Sequence, residues 1–170
     1  LIGMHWGPSI SILKLLQKAG LNPALPWRRP ERQIFRIRPF YYIFLALAAR
    51  HIVKTMGERA VPIGGAGKVL RKMMDQPGSI IVVMDAPPRK DRVMLRADVL
   101  GKKAVFDAGF PKILADKQKS YVFYALSLQP GGYVRKKLEL EGPFTSSGAQ
   151  DFLDSYAGFL DRHLASDPAQ

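Results

Sequence analysis

Apolar residues recur along this chain at two spacings, one helical and one extended. At helical spacing, Ile12, Leu13, Leu15, Leu16 and Ala19 mark one face of a helix from Ser11 to Ala19, with Ser9 placed to cap it and Gly20 to stop it. The run "FYYIFLALAA" predicts a second helix from Phe40 to Met56, ended by Gly57. A third runs from Lys68 to Asp75 and is closed by "QPG"; a fourth follows a break at Gly109, from Phe110 to Lys119. Phe152, Tyr156, Phe159, Leu160 and Leu164 lie on one face of a last helix.

Between these helices lie extended patterns. Leu1 to Met4 reads as a short strand buried on both faces, and Ala60 to Ile63 as another. "SIIVVM" carries the clearest strand signal because its β-branched residues favour a pleated backbone; Asp85 stands at its carboxyl end. "VMLRADVLG" alternates loosely up to a turn at Gly101, and "KKAVF" follows. "YVFYALSL" and "YVRKKLEL", joined by "QPGG", predict an antiparallel pair, with "EGPFTSSG" as a turn after it. "LNPALPWRRPERQ" reads as loop with room for one short strand. Interleaved helices and strands predict the α/β class, with a mixed central sheet flanked by helices. No repeat, low-complexity tract or linker interrupts the 170 residues, which suits one domain with a real core.

Charge narrows the partners without choosing among them. Lys and Arg number 26 against 14 Asp and Glu, a formal charge of +12, which suits nucleic acid, an acidic carrier protein or anionic lipid. Without cysteine the chain has no disulfide, thiolate metal site or cysteine nucleophile. The apolar run at Phe40 is ten residues long, well short of the roughly 20 that span a bilayer. No signal-peptide pattern is present, and a first residue Leu1 inside a strand points to a parent protein with more chain before it.

The familiar catalytic and binding motifs are mostly excluded. "GGAGKV" lacks the first glycine of a phosphate-binding loop, where Pro62 stands, and has Val69 in place of the hydroxyl residue after its lysine. His5, His51 and His163 are too far apart for metal-ligand spacing, and no serine-nucleophile elbow exists. The stretch 27–42 interleaves Arg28, Arg29, Arg32, Arg36 and Arg38 with aromatic residues, a pattern that suits nucleic acid as well as an arginine-rich surface. "RIRPFYYIFLALAARHIVK" fits either a buried helix with charged ends or a helix lying on anionic lipid. His5, at a strand end just before a helix, fits either a hydrogen-bonded structural histidine or a neutral general base, since a helix amino end disfavours imidazolium.

Several stretches in order resemble the lysophospholipid acyltransferase superfamily, in particular its bacterial lipid A lauroyl/myristoyl acyltransferase branch. They are "LIGMHWG", "GGAGKVLRKMMDQPGSIIVVMDAPP", "VLGKKAVFDAGFPKILADKQKSYVFYALSL" and "SYAGFLDRHLASDPAQ". The resemblance covers most of the chain through diffuse patterns. It implies a glycerolipid acyltransferase-like domain over 1–170, lacking N-terminal and extreme C-terminal parts of its parent. The implied activity is fatty acyl transfer from acyl carrier protein or acyl-coenzyme A to a hydroxyl of a membrane glycolipid or lysolipid. The implied setting is membrane contact, peripheral or anchored, at the cytoplasmic face of the bacterial inner membrane. The thioester is a substrate, so neither a metal nor a bound cofactor is expected, nor a nucleic acid.

By position, the resemblance makes His5 the catalytic histidine and Asp85 the aspartate ending a central strand beside the acceptor. It places a phosphate-binding arginine at Arg50 or Arg59. One departure bears on mechanism: the family's carboxylate five positions after the histidine is Ile10 here, which cannot accept an imidazole hydrogen bond. Asp85, Asp91 or a distant carboxylate would have to substitute. The alternatives are a catalytically inactive lipid-binding or interaction protein of the same fold, and nucleic-acid binding through 27–42.

Overall fold

Hydrogen-bonding partners decide how much of an extended run is paired as strand, and that dependence shapes the centre of this fold. The computed structural model describes residues 2–3, 10–27, 32–62, 67–84, 93–128 and 136–166. In chain order these form β1 (Ile2–Gly3), α1 (Ile10–Lys18), β2 (Leu25–Trp27), α2 (Arg32–Ile37) and α3 (Pro39–Met56). A 3-10 turn, Gly57–Arg59, leads to β3 (Ala60–Pro62), α4 (Gly67–Asp75) and β4 (Val82–Val83). Then come β5 (Met94–Val99), β6 (Lys102–Asp107), α5 (Gly109–Asp116), β7 (Tyr121–Leu128), β8 (Lys136–Phe144) and α6 (Ala149–Ser166). The class is mixed α/β, with small sheets. Contacts divide the chain into two compact units, Leu1–Ile12 with Val82–Gln170, and Leu13–Ile81.

The first unit contains a four-stranded sheet in the order β4-β1-β7-β8. β1 runs parallel to both neighbours, while β7 and β8 are antiparallel, so the sheet is mixed as the sequence predicts. α6 packs its apolar stripe on this unit: Phe152, Tyr156, Phe159 and Leu160 are all buried. Their partner on β7 is Phe123, 1% exposed, whose ring lies 5.1–5.9 Å from those of Tyr121, Phe144, Phe152, Tyr156 and Phe159. This aromatic cluster is the core of the unit. β5 and β6 form a separate hairpin whose two-residue turn has Leu100 and Gly101 both at positive φ, 52° and 69°. Such a turn matches the strand twist but strains a non-glycine residue. The Leu100 N–H donates to Asp161 Oδ1 of α6 at 2.7 Å, which helps hold it there.

In the second unit, β2 and β3 pair in parallel and Ala24 bridges Ile80 just beyond them. α2 packs against α3, with Phe35 and Tyr42 meeting edge to face at 5.5 Å.

Four expectations are corrected. The stretch 21–33, read as loop with one short strand, holds β2 and also the first two residues of the helix α2, which runs on to Ile37 because no helix breaker stands between Pro30 and Pro39. "SIIVVM" is not one continuous strand: Ile80 bridges Ala24, whereas Val82 and Val83 pair with the two residues of β1. Its β-branched content marks extended backbone, but the partners set the length. The helix expected to reach Lys119 ends at Asp116, before Gln118 at φ 47°. Finally, β8 continues through Gly142 and Pro143 to Phe144 instead of turning at Glu141. β8 is the outermost strand of its sheet, where a proline's missing N–H is tolerated.

Gly142 is required where it sits. Its φ is +126°, and a Cβ there would lie 3.0 Å from the Tyr121 carbonyl oxygen and 3.2 Å from Phe144. Gly142→Ala is expected to cost about 1–3 kcal/mol of stability, the range for a side chain forced into such backbone geometry. A urea titration of both proteins checks this; an unchanged midpoint would show that β8 relaxes freely around position 142.

Candidate functional site

Open α/β sheets present ligands at the carboxyl ends of their parallel strands, where neighbouring connections depart in different directions. β1 is the strand to inspect, being flanked on both sides by parallel partners. Its register with β4 pairs Ile2 with Val82 and Gly3 with Val83. His5 and Asp85, the two residues singled out in sequence, both lie outside the described residues. Each follows the last residue of its strand by two positions, His5 after Gly3 and Asp85 after Val83. Paired strands lie about 4.8 Å apart. The strand ends that carry the two residues are therefore side by side. Ile10, where the resemblance expects a carboxylate, is the first residue of α1. Asp91 also lies outside the described residues.

Arg50 and Arg59 belong to the other compact unit. Arg50 is exposed on α3. Arg59, also exposed, ends the 3-10 turn after α3, and its Nη1 donates to the Asn22 carbonyl oxygen ahead of β2. That bond gives Arg59 a tethering role. A guanidinium has five N–H donors, so others remain for an anion. Of the aromatic residues in 27–42, Phe35 and Tyr41 are exposed while Trp27 is half-buried.

The described residues do bring together one histidine–carboxylate pair that the sequence reading missed. His163 Nδ1, on α6, lies 3.2 Å from Glu139 Oε2 on β8. The imidazole also packs on Phe159, with ring centroids 4.4 Å apart. Lys137 contacts the same carboxylate, and next to it Arg162 Nε and Nη2 grip the two oxygens of Glu141 at 3.1 and 2.7 Å. No local motif announces the pair, because the partners are 24 positions apart and meet only once α6 has docked on the sheet. The carboxylate orients the ring, as in a catalytic dyad, but it is shared with a lysine. Its evident work is to fasten the last turns of α6 to β8.

The Lys137 ammonium holds the Glu139 carboxyl below its usual range, with the charge of His163 acting in the same direction and partial burial opposing both. A carboxyl lowered in the folded state stabilises the fold above its unfolded value and loses that contribution as pH falls through the folded one. The urea midpoint should therefore drop as pH falls below about 4.5, the ordinary glutamate value. Glu139→Gln should flatten that part of the profile, with only a small change near neutrality because the pair is partly exposed. Identical acid limbs for both proteins would remove Glu139 from the acid response.

Among the described residues no group of three histidine, aspartate or glutamate side chains is placed to hold a metal ion. Among them, too, no helix is long and apolar enough to cross a membrane. Neither a model of a known protein family nor a curated protein matches the chain.

Proposed function

We propose that this protein transfers a fatty acyl group from a thioester to a hydroxyl of a membrane glycolipid or lysolipid, on a glycerolipid acyltransferase-like fold. The observation that carries the reading is the pairing of β1 with β4, whose adjacent carboxyl ends lead in two residues to His5 and to Asp85. The sequence resemblance supplies the chemistry.

In this mechanism neutral His5 removes the proton of the acceptor hydroxyl as its oxygen attacks the thioester carbonyl. The tetrahedral oxyanion, steadied by backbone N–H donors, collapses to an ester and expels the thiolate, which takes the proton back from the imidazolium. Asp85 fills the orienting part that Ile10 cannot, since it stands the same two residues beyond its own strand. Arg50 and Arg59 attract an acceptor phosphate. Acyl carrier protein or coenzyme A brings the acyl group as substrate. The reaction takes place at the cytoplasmic face of the bacterial inner membrane.

The test supplies labelled acyl carrier protein and acyl-coenzyme A to a panel of lysophospholipids and glycolipids in mixed vesicles. Ester should form with release of an equal amount of thiol. If no donor and acceptor pair yields ester, the transferase reading fails. A second reading, a lipid-binding protein of this fold without turnover, is favoured by Ile10 standing where the resemblance expects a carboxylate. Saturable binding of a lysolipid in the absence of ester formation would select it.

A further inference from the structure

The two ends of α3 present different chemistry on one side. Phe40, Ile43, Phe44 and Leu47, at the i, i+3, i+4 and i+7 positions, share a face, and all four are exposed. Phe40 is 86% exposed, Phe44 64% and Leu47 59%. The same stripe continues into Arg50, His51 and Lys54, also exposed. Ahead of the helix, α2 adds Ile37, 78% exposed, and Phe35 beside it. Met56 is the buried residue of α3, so the reading of this stretch as a buried helix is set aside. Large apolar side chains protrude from a helical corner, and such a patch calls for a partner.

Charge identifies the partner. From Arg32 to Gly57 the sequence has no aspartate or glutamate, but five cations: Arg32, Arg36, Arg38, Arg50 and Lys54. Arg36 and Arg38 are exposed and flank Ile37 at the corner. A second copy docking by the same face would bring two such cationic sets together, which like-charge repulsion opposes. Nucleic acid would use the arginines and the rings of Phe35 and Tyr41, but would leave Ile37, Ile43 and Leu47 in water. A bilayer surface satisfies both parts, apolar side chains below the headgroups and cations among anionic ones.

We infer that the α2–α3 corner is a wedge that inserts into anionic lipid, with Ile37, Phe40 and Phe44 entering the acyl boundary and Arg36, Arg38 and Arg50 at the phosphates. This names the surface behind the membrane contact in the proposed function, and rests on that reading only for the kind of lipid encountered. Turnover is not needed for it.

The test is vesicle flotation without any acyl donor, so its failure is distinct from failure of acyl transfer. The full chain should float with phosphatidylcholine vesicles containing phosphatidylglycerol at about 0.1 M salt, where screening sets in near 10 Å. It should not float with phosphatidylcholine alone. Replacing an inserted phenylalanine should weaken partitioning roughly tenfold, so Phe40→Ser with Phe44→Ser should abolish flotation. Arg36→Glu with Arg38→Glu should weaken it roughly tenfold or more. Both pairs are exposed, and unchanged circular dichroism checks that the fold survives. Because the chain has no cysteine, Phe40→Cys carries a single environment-sensitive fluorophore. Its emission should shift to the blue on the vesicles and be quenched by nitroxide placed on the acyl chains. The inference is overturned by absence of flotation, by undiminished flotation of the serine pair, or by a label that stays in water on floated protein. Self-association through this face, or oligonucleotide binding that survives the serine pair while flotation does not occur, overturns it equally.

Discussion

Phe123→Ala should destabilise the protein by about 3–5 kcal/mol, the usual cost of truncating a fully buried phenylalanine. Phe123 touches three aromatic rings of α6, one on its own strand and one on β8, and its strand position pairs with Ile2 of β1. Removing the ring takes away apolar area and edge or stacked contacts worth about 0.5–1.5 kcal/mol per pair beyond that area. It also leaves a void between rigid rings that close poorly. Phe123→Leu keeps most of the volume and should cost about half as much or less. Urea midpoints and the near-ultraviolet circular dichroism of the cluster measure both. A loss under 1 kcal/mol for the alanine variant would mean that α6 does not depend on this ring for its docking.

His5→Ala should lower the rate of acyl transfer by about 10²–10⁴-fold, the span over which a positioned proton acceptor contributes. The loss should fall on kcat, with the acceptor's KM little changed, because the imidazole acts on the proton and not on the lipid. Free imidazole should restore part of the rate if the space left by the ring remains open. Asp85→Asn keeps the shape of the side chain but not its charge. It should cost less than His5→Ala if its carboxylate orients the ring, and its defect should be negligible once His5 is absent. Equal turnover by His5→Ala and the unaltered protein would take the histidine out of the mechanism.

Much of the fold was legible because its long elements carry strong periodicity. The stripe from Phe152 to Leu160 predicts α6 and its buried face; the stretch Phe40 to Met56 predicts α3 to within one residue. The alternate runs of β7 and β8 predict their antiparallel pairing. What could not be read depends on partners. "SIIVVM" carries no mark of how far β1 or Ala24 extends beside it, so its division was hidden. Pro143 reads as a breaker until β8 is known to be an edge. α3 is apolar around most of its circumference, and composition alone does not say which apolar side lacks a cover. For the site, the strand positions before His5 and Asp85 were legible, but their shared register was not, since eighty residues separate them. The Glu139–His163 contact was invisible for the same reason.

The outer border of the four-stranded sheet has a bearing on how the protein behaves at high concentration. Among the described residues no strand pairs with the outer side of β8, and such an edge is the usual starting point of fibrous association. Glu139 and Glu141 turn towards α6, where His163 and Arg162 meet them, and Pro143 offers no donor. An incoming strand would find a ladder interrupted at Pro143 beside charges already committed elsewhere. Polymer growth from that border is thereby discouraged by the same residues that fasten the last helix.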